Sequence, residues 1–262
     1  MTIGTDALTL FEEELKAKGL SKHTVKAFLT DVRQWLKSDL EPKAWLAGLK
    51  EKGLTNKTLA RKVTSLKSYS DTMNLQLDLP SIRPEKKLPH ALSTAEAKAI
   101  LHEAGQTQNP ERDFLIVSLL LGTGLRASEL LALTAGDISE PEKGQMILTV
   151  RNGKGSKERR IPVSKEALQK QLKAYAKGKD QLFPFTDRNL RKMIKSIAEK
   201  AGIKEPVSPH TLRHTFATDK LKGGATLEGI RKVLGHENLS TTQKYLSLTE
   251  QDLFDEMGRG NF

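Results

Sequence analysis

Between Leu79 and Ser93 the chain reads LPSIRPEKKLPHALS, with Pro80, Pro84 and Pro89 only four and five residues apart. Each proline lacks a backbone donor and disfavours helix at the residue before it, so this stretch supports neither a helix nor a central strand. It reads as an extended linker. The 262 residues then divide into an N-terminal unit (1–80), a linker (81–92) and a larger C-terminal unit (93–262). The basic residues between the prolines suit a segment that crosses a polyanion, and equally a plain solvated spacer.

The first unit has the pattern of short amphipathic helices with clear stops. In DALTLFEEELKAKGL, Leu8, Phe11 and Leu15 recur every three or four residues and Gly19 stands where a helix ends. Ser21 is placed to cap a second helix with Val25, Phe28, Leu29, Val32 and Leu36 inward. KAWLAGLKEKG predicts a third helix ending at Gly53, and Thr55 opens a fourth. In that fourth helix Leu59, Val63 and Leu66 point inward, with Lys57, Arg61, Lys62 and Lys67 available outward. This is a small all-α unit.

The second unit reads as mostly helical with one β interruption. In GQMILTVRNGKGSKERRIPV the segments Met146 to Val150 and Ile161 to Val163 flank Asn152-Gly153, a strong hairpin signal. The expected fold class is therefore mainly α (α+β), a small helical domain followed by a mostly helical domain with a small antiparallel hairpin or sheet.

Composition narrows the function. The chain has 43 Lys and Arg against 32 Asp and Glu, a net charge of +11. Residues 1–80 hold 13 basic and 10 acidic residues and residues 81–262 hold 30 and 22, so both parts are basic. Such an excess favours a polyanionic partner, nucleic acid or an anionic membrane face, and two basic parts suit a grip from two sides. With no cysteine, disulfides, thiolate chemistry and Cys-type zinc sites are excluded. The opening MTIGTDALTLFEEEL does not read as a signal peptide. The longest apolar run, FLIVSLLLG at 114–122, falls short of the roughly 20 residues that cross a bilayer. A cytoplasmic protein without a membrane partner is the expectation.

Four segments carry more reactive side chains than folding requires. In LGTGLRASELLAL, glycines 122 and 124 let the backbone turn sharply, and Arg126 falls near a helix N-terminus where an anion is favoured. A structural pairing of Arg126 with Glu129 is the other reading. In NGKGSKERR, Lys154 sits at a mobile tip with Lys157, Arg159 and Arg160 beside it, a phosphate-contacting finger or a catalytic device. In SPHTLRHTFAT, Ser208 and Pro209 have the character of an N-cap and first helical residue, so His210, Arg213 and His214 share one face. Three such groups make an awkward surface unless something negative sits against it. Zinc on His210 and His214 is disfavoured, because HTLRH lacks the Glu that follows the first His in zincins and Arg213 would stand beside the metal. In VLGHENLSTTQKYL, Gly235 ends a helix, His236 follows, and Ser240 with Gln243 forms a capping box for a helix carrying Tyr245.

Together these residues fit metal-free attack on a phosphodiester. A tyrosine hydroxyl, with pKa near 10, must be activated or placed in line. The charge that builds on the non-bridging oxygens is met by guanidinium forks. The leaving 5′ oxygen needs a proton, for which Lys154 is the candidate.

GTGLRASEL, GKGSKER, SPHTLRHTFAT and LGHENLSTTQKY, with its final Tyr245, resemble the tyrosine recombinase (integrase) family, particularly its Xer-type branch. The resemblance covers residues 93–262; the N-terminal helices are similar to the family's core-binding domain only in size and helical pattern. It implies a two-domain clamp on duplex DNA with Arg126, Lys154, His210, Arg213, His236 and Tyr245 as the catalytic set. Tyr245 would leave a 3′-phosphotyrosine and a free 5′-OH that attacks a partner strand. One phosphodiester replaces another, so no ATP and no cofactor or metal is implied. His210 and His236 would hydrogen-bond the phosphate, with His210 also handling the nucleophile's proton, while His214 packs or orients neighbours. DNA contacts are expected from Lys157, Arg159 and Arg160 of the hairpin and from Arg61 and Lys62. The tail after Tyr245 has Leu248, Leu253, Phe254 and Met257 in a helix-like pattern that could fold back on its own domain; the resemblance implies instead that it reaches a neighbouring subunit and links a tetramer on two DNA sites. The task implied is chromosome or plasmid dimer resolution, or integration of a mobile element. Two rivals use the same charge: a DNA-bridging architectural protein, which has no use for Tyr245 and His236 at this spacing, and a type IB topoisomerase-like enzyme that relaxes supercoils.

Overall fold

The computed structural model describes residues 5–84, 90–142, 144–152 and 156–235. By its internal contacts the chain divides into two compact units, Met1–Lys87 and Leu88–Phe262.

In the first unit four helices, α1 (Thr5–Ala17), α2 (Lys22–Leu36), α3 (Pro42–Glu51) and α4 (Asn56–Met73), start where side-chain caps are available. Ser21 accepts from the Thr24 N–H and Thr55 from the Thr58 N–H, which satisfies donors that a helix start leaves without partners. The apolar faces close on one core: Phe11, Leu15, Val32, Leu59 and Leu66 are wholly buried. Tyr69 meets Phe11 and Trp35 edge to face, with centroids 5.2 and 6.2 Å away. Leu77, Leu79 and Ile82 pack against this core, so the start of the proline stretch is not a free spacer.

One expectation for α4 is corrected. Lys62, read as outward, is only 4 % exposed. Its ammonium donates to Asp31 Oδ1 at 2.8 Å and to Gln34 Oε1 at 2.7 Å, and lies 5.1 Å from the centroid of the Trp45 ring. The cause is Asp31, a carboxylate 1 % exposed on the inner face of α2. Its burial requires cationic and hydroxyl donors, supplied by Lys62, Arg61 and Ser65, the last at 2.9 Å.

The second unit begins with α5 (Thr94–Ala104), opened by a reciprocal capping box of Ser93 and Glu96. The apolar run forms α6 (Pro110–Thr123), the central helix, with Leu115, Ile116, Val117, Leu119 and Leu120 at 1 % exposure or less; α5, α8 and α10 pack on it. After α7 (Ala127–Ala132) and a short 3-10 turn at Ala135–Asp137 comes an antiparallel sheet of order β1-β2-β3. β2 (Gln145–Asn152) and β3 (Ser156–Val163) form the expected hairpin, with Met146, Leu148 and Val150 opposite Val163, Ile161 and Arg159. β1 (Ile138–Glu142), which the sequence pattern does not announce, is an exposed edge containing Pro141, where a missing donor is tolerated. α8 (Glu166–Ala176), α9 (Asp187–Lys200), α10 (Pro209–Lys222) and α11 (Leu227–Leu234) complete the described unit. Phe216 and Ala217 of α10 pack on Ile230 and Leu234 of α11 in a small separate cluster. Among the described residues, no helix is long and apolar enough to cross a membrane.

Candidate functional site

The site is built where three helix ends meet. α6 stops at Gly124, whose φ of 64° is left-handed, and a Cβ there would collide with Phe216 and lie 2.8 Å from Leu234 Cδ2. Two residues later Arg126 caps α7, and its backbone N–H donates to Glu129 Oε2 at 2.7 Å. Its guanidinium donates to Glu129 Oε1 at 2.7 Å and to the Gly235 carbonyl at 2.9 Å, while the side chain remains 38 % exposed. The structural pairing with Glu129 is thus present on a side chain that is still partly open to solvent.

Ser208 and Pro209 start α10 as the sequence predicts, with Ser208 accepting from the Thr211 N–H. His210 on the first turn is exposed. The crowded cationic surface expected of His210, Arg213 and His214 is corrected: Arg213 is 2 % and His214 is 4 % exposed. Arg213 donates to the Gly124 carbonyl at 2.6 Å and to the Leu234 carbonyl at 2.7 Å. These oxygens terminate α6 and α11, where helices leave acceptors open and their dipoles favour positive charge. Two carbonyl groups inside the protein are among the acceptors that face the arginine, and the Glu129 carboxylate lies 3.9 Å from it.

Arg159 is also inward, against the expectation of a DNA-contacting finger. Its side chain is 9 % exposed. Nη1 and Nη2 donate to the two Glu129 oxygens at 2.8 and 2.6 Å, and Nε donates to the Val233 carbonyl at 2.8 Å. The three successive carbonyls of Val233, Leu234 and Gly235 therefore each accept from a different arginine: Arg159, Arg213 and Arg126. Gly235 allows this approach, since its φ is 64° and a Cβ would stand 3.0 Å from Arg159 Cδ. Burial would raise the Glu129 carboxyl, but hydrogen bonds from Arg159 and Arg126 outweigh it and hold the group at about 2.

Of the expected site residues, Arg126 and Arg213 are brought together, with Arg213 3.9 Å from Glu129. Arg160, opposite Thr149 on β3, is exposed. Arg61, 41 % exposed, and buried Lys62 both belong to the other unit and are tied to Asp31. Lys154, His236 and Tyr245, the side chain of Lys157, and the tail residues Leu248, Leu253, Phe254 and Met257 lie outside the described residues. The sequence reading missed the shared role of Glu129 and the inward Asp31. The latter carries a signal, an acid three residues from Phe28 on an otherwise apolar face.

Residues 90–252 match the Phage integrase family. The tyrosine recombinase XerA of Thermococcus kodakarensis is 34 % identical over 97 % of this chain and 94 % of its own length. A crystal structure of a XerA recombinase matches with a TM-score of 0.58 at 28 % identity, covering 98 % of this chain and 99 % of that one. A XerH site-specific recombinase bound to a palindromic difH substrate in a post-cleavage complex shares the fold, with a TM-score of 0.70 at 21 % identity over 93 % of this chain and 82 % of that one.

Proposed function

Because the chain belongs to the phage integrase family of tyrosine recombinases, we propose that it is a site-specific recombinase that cuts and rejoins DNA through Tyr245. The Tyr245 oxygen forms a bond to the scissile phosphorus as the P–O5′ bond breaks. The phenol proton passes to His210, and the departing 5′ oxygen takes a proton from Lys154. The 5′-OH so released attacks a second phosphotyrosine, reversing each transfer on a partner strand. Arg126, whose side chain is partly exposed, donates to the non-bridging oxygens and His236 adds a hydrogen bond. Arg213, bonded to the Gly124 and Leu234 carbonyls, adds a second fixed positive charge to the same corner.

The observation that carries this reading is the meeting of Arg126, Arg159 and Arg213, from three separate elements, on Glu129 and the three carbonyls that precede His236 in the sequence. Fixed positive charge assembled at this corner supports placing the scissile phosphate there. The partner is double-stranded DNA, held by residues 1–80 as a core-binding domain and by residues 93–262 as the catalytic domain. The working form is a tetramer on two sites joined through the C-terminal tail, in the cytoplasm. The test is to denature cells expressing the chain, recover DNA covalently bound to it, sequence that DNA, and build a nicked duplex on the sequence found. The parent protein forms a detergent-resistant adduct with this duplex and Tyr245→Phe forms none; an adduct with the phenylalanine variant rules out the nucleophile.

A further inference from the structure

We propose that Arg159 is a positioning residue for strand cleavage: it binds both oxygens of Glu129 and the Val233 carbonyl, and its charge balances Glu129 so that the partly exposed Arg126 keeps a net positive charge for the phosphate. The proposal rests on the recombinase reading above. At 9 % exposure Arg159 is not itself a phosphate ligand. Its work is internal. Three guanidiniums surround one carboxylate, a local charge of +2, and without Arg159 that falls to +1. Glu129 would then keep Arg126, whose Nη1 and backbone N–H it already holds at 2.7 Å, as its close partner. The positive charge meant for a developing phosphorane would be neutralised by the protein's own acid. The depressed pKa of Glu129 agrees with this, since the carboxylate stays ionised and must be balanced.

Geometry makes arginine the residue suited to the position. The fork spans both carboxylate oxygens while Nε reaches a third acceptor, and a lysine ammonium cannot bridge that arrangement. The same side chain joins β3, which begins two residues after Lys154, to the end of α11, which stops two residues before His236. Arg159 thus ties together two elements that adjoin, in the sequence, two of the proposed catalytic groups.

The experiment uses the full chain and two versions of the nicked duplex. One has the natural scissile phosphate; the other has a methylphosphonate there, which lacks one negative oxygen. Strand cleavage is timed for the parent, Arg159→Met and Arg159→Lys. If Arg159 acts by keeping Arg126 charged toward the phosphate, Arg159→Met cleaves the natural duplex about 100-fold more slowly. On the methylphosphonate its deficit shrinks to about threefold, because less charge has to be balanced. Arg159→Lys loses about tenfold on the natural duplex and less on the neutral one. A merely structural residue lowers both rates by the same factor. Equal losses on the two duplexes, or variants indistinguishable from the parent on the natural one, overturn the proposal. Should Arg159→Met fail to melt cooperatively, the pair of rates for Arg159→Lys decides by the same criterion. A parent protein that cleaves neither duplex removes the recombinase reading, and this proposal with it.

Discussion

Glu129 takes up a proton only near pH 2, against 4.5 for an ordinary glutamate, because two oxygens buried beside Arg126 and Arg159 receive four hydrogen bonds. A carboxyl group whose folded pKa is depressed stabilises the fold above its unfolded pKa, and that contribution is lost as pH falls toward the folded one. The window is therefore pH 4.5 down to about 2. The full contribution is on the order of 3 kcal/mol. Urea denaturation of the parent and of Glu129→Gln should show a stability gap that is widest above pH 5 and closes toward pH 2; a gap independent of pH would remove Glu129 as the linked group. Gly124 gives a second residue-scale expectation. A methyl group there meets Phe216 and Leu234 on a backbone at φ 64°, so Gly124→Ala combines overpacking with left-handed strain. It should lower stability by roughly 2–4 kcal/mol, read from the urea midpoint.

Between α2 and α4 the contact is both apolar and ionic. Asp31 and Lys62 are both nearly inaccessible, and each is tolerated only because of the other and of Arg61, Gln34 and Ser65. Removing one member of such a pair leaves an uncompensated charge, whereas replacing both by apolar groups of similar size is often neutral. Asp31→Ala should cost about 3–5 kcal/mol, and Asp31→Leu with Lys62→Met should recover most of it; thermal melts that rank the double variant below the single one would contradict this. The same pair shows what a sequence makes legible. Helix starts at Ser21, Thr55 and Ser208, the stop at Gly235 and the hairpin around Asn152 depend on neighbours within a few residues, and reading along the chain finds them. The directions of Lys62, Arg159 and Arg213 depend on Asp31, Val233 and Gly124, which lie 31, 74 and 89 residues away. Composition and periodicity put all three cations at a surface because positive charge is usually solvated. Only the packed fold supplies the buried acceptors that turn them inward. β1 escaped for a local reason, since ISEPE has neither alternation nor an apolar face.

Across the molecule, both units are basic and the chain carries +11, yet inward arginines and lysines add nothing to the charge a polyanion meets at contact range. Exposure divides the cations expected on DNA into two classes. Arg160 stands in solvent on β3, while Lys62 is occupied by Asp31 and Gln34. Binding to duplex DNA releases about 0.9 counterion per phosphate neutralised, so the slope of log affinity against log salt counts the side chains that reach the backbone. Affinities for a random 40-base-pair duplex, measured between about 50 and 200 mM salt, should fall steeply for the parent. Arg160→Ala should flatten the slope by about 0.9. Lys62→Met, which leaves Asp31 with Arg61 and Ser65, should leave the slope where it was. If the two substitutions flatten the line equally, the division by burial is wrong, and the α2–α4 ion cluster must open when the protein meets DNA.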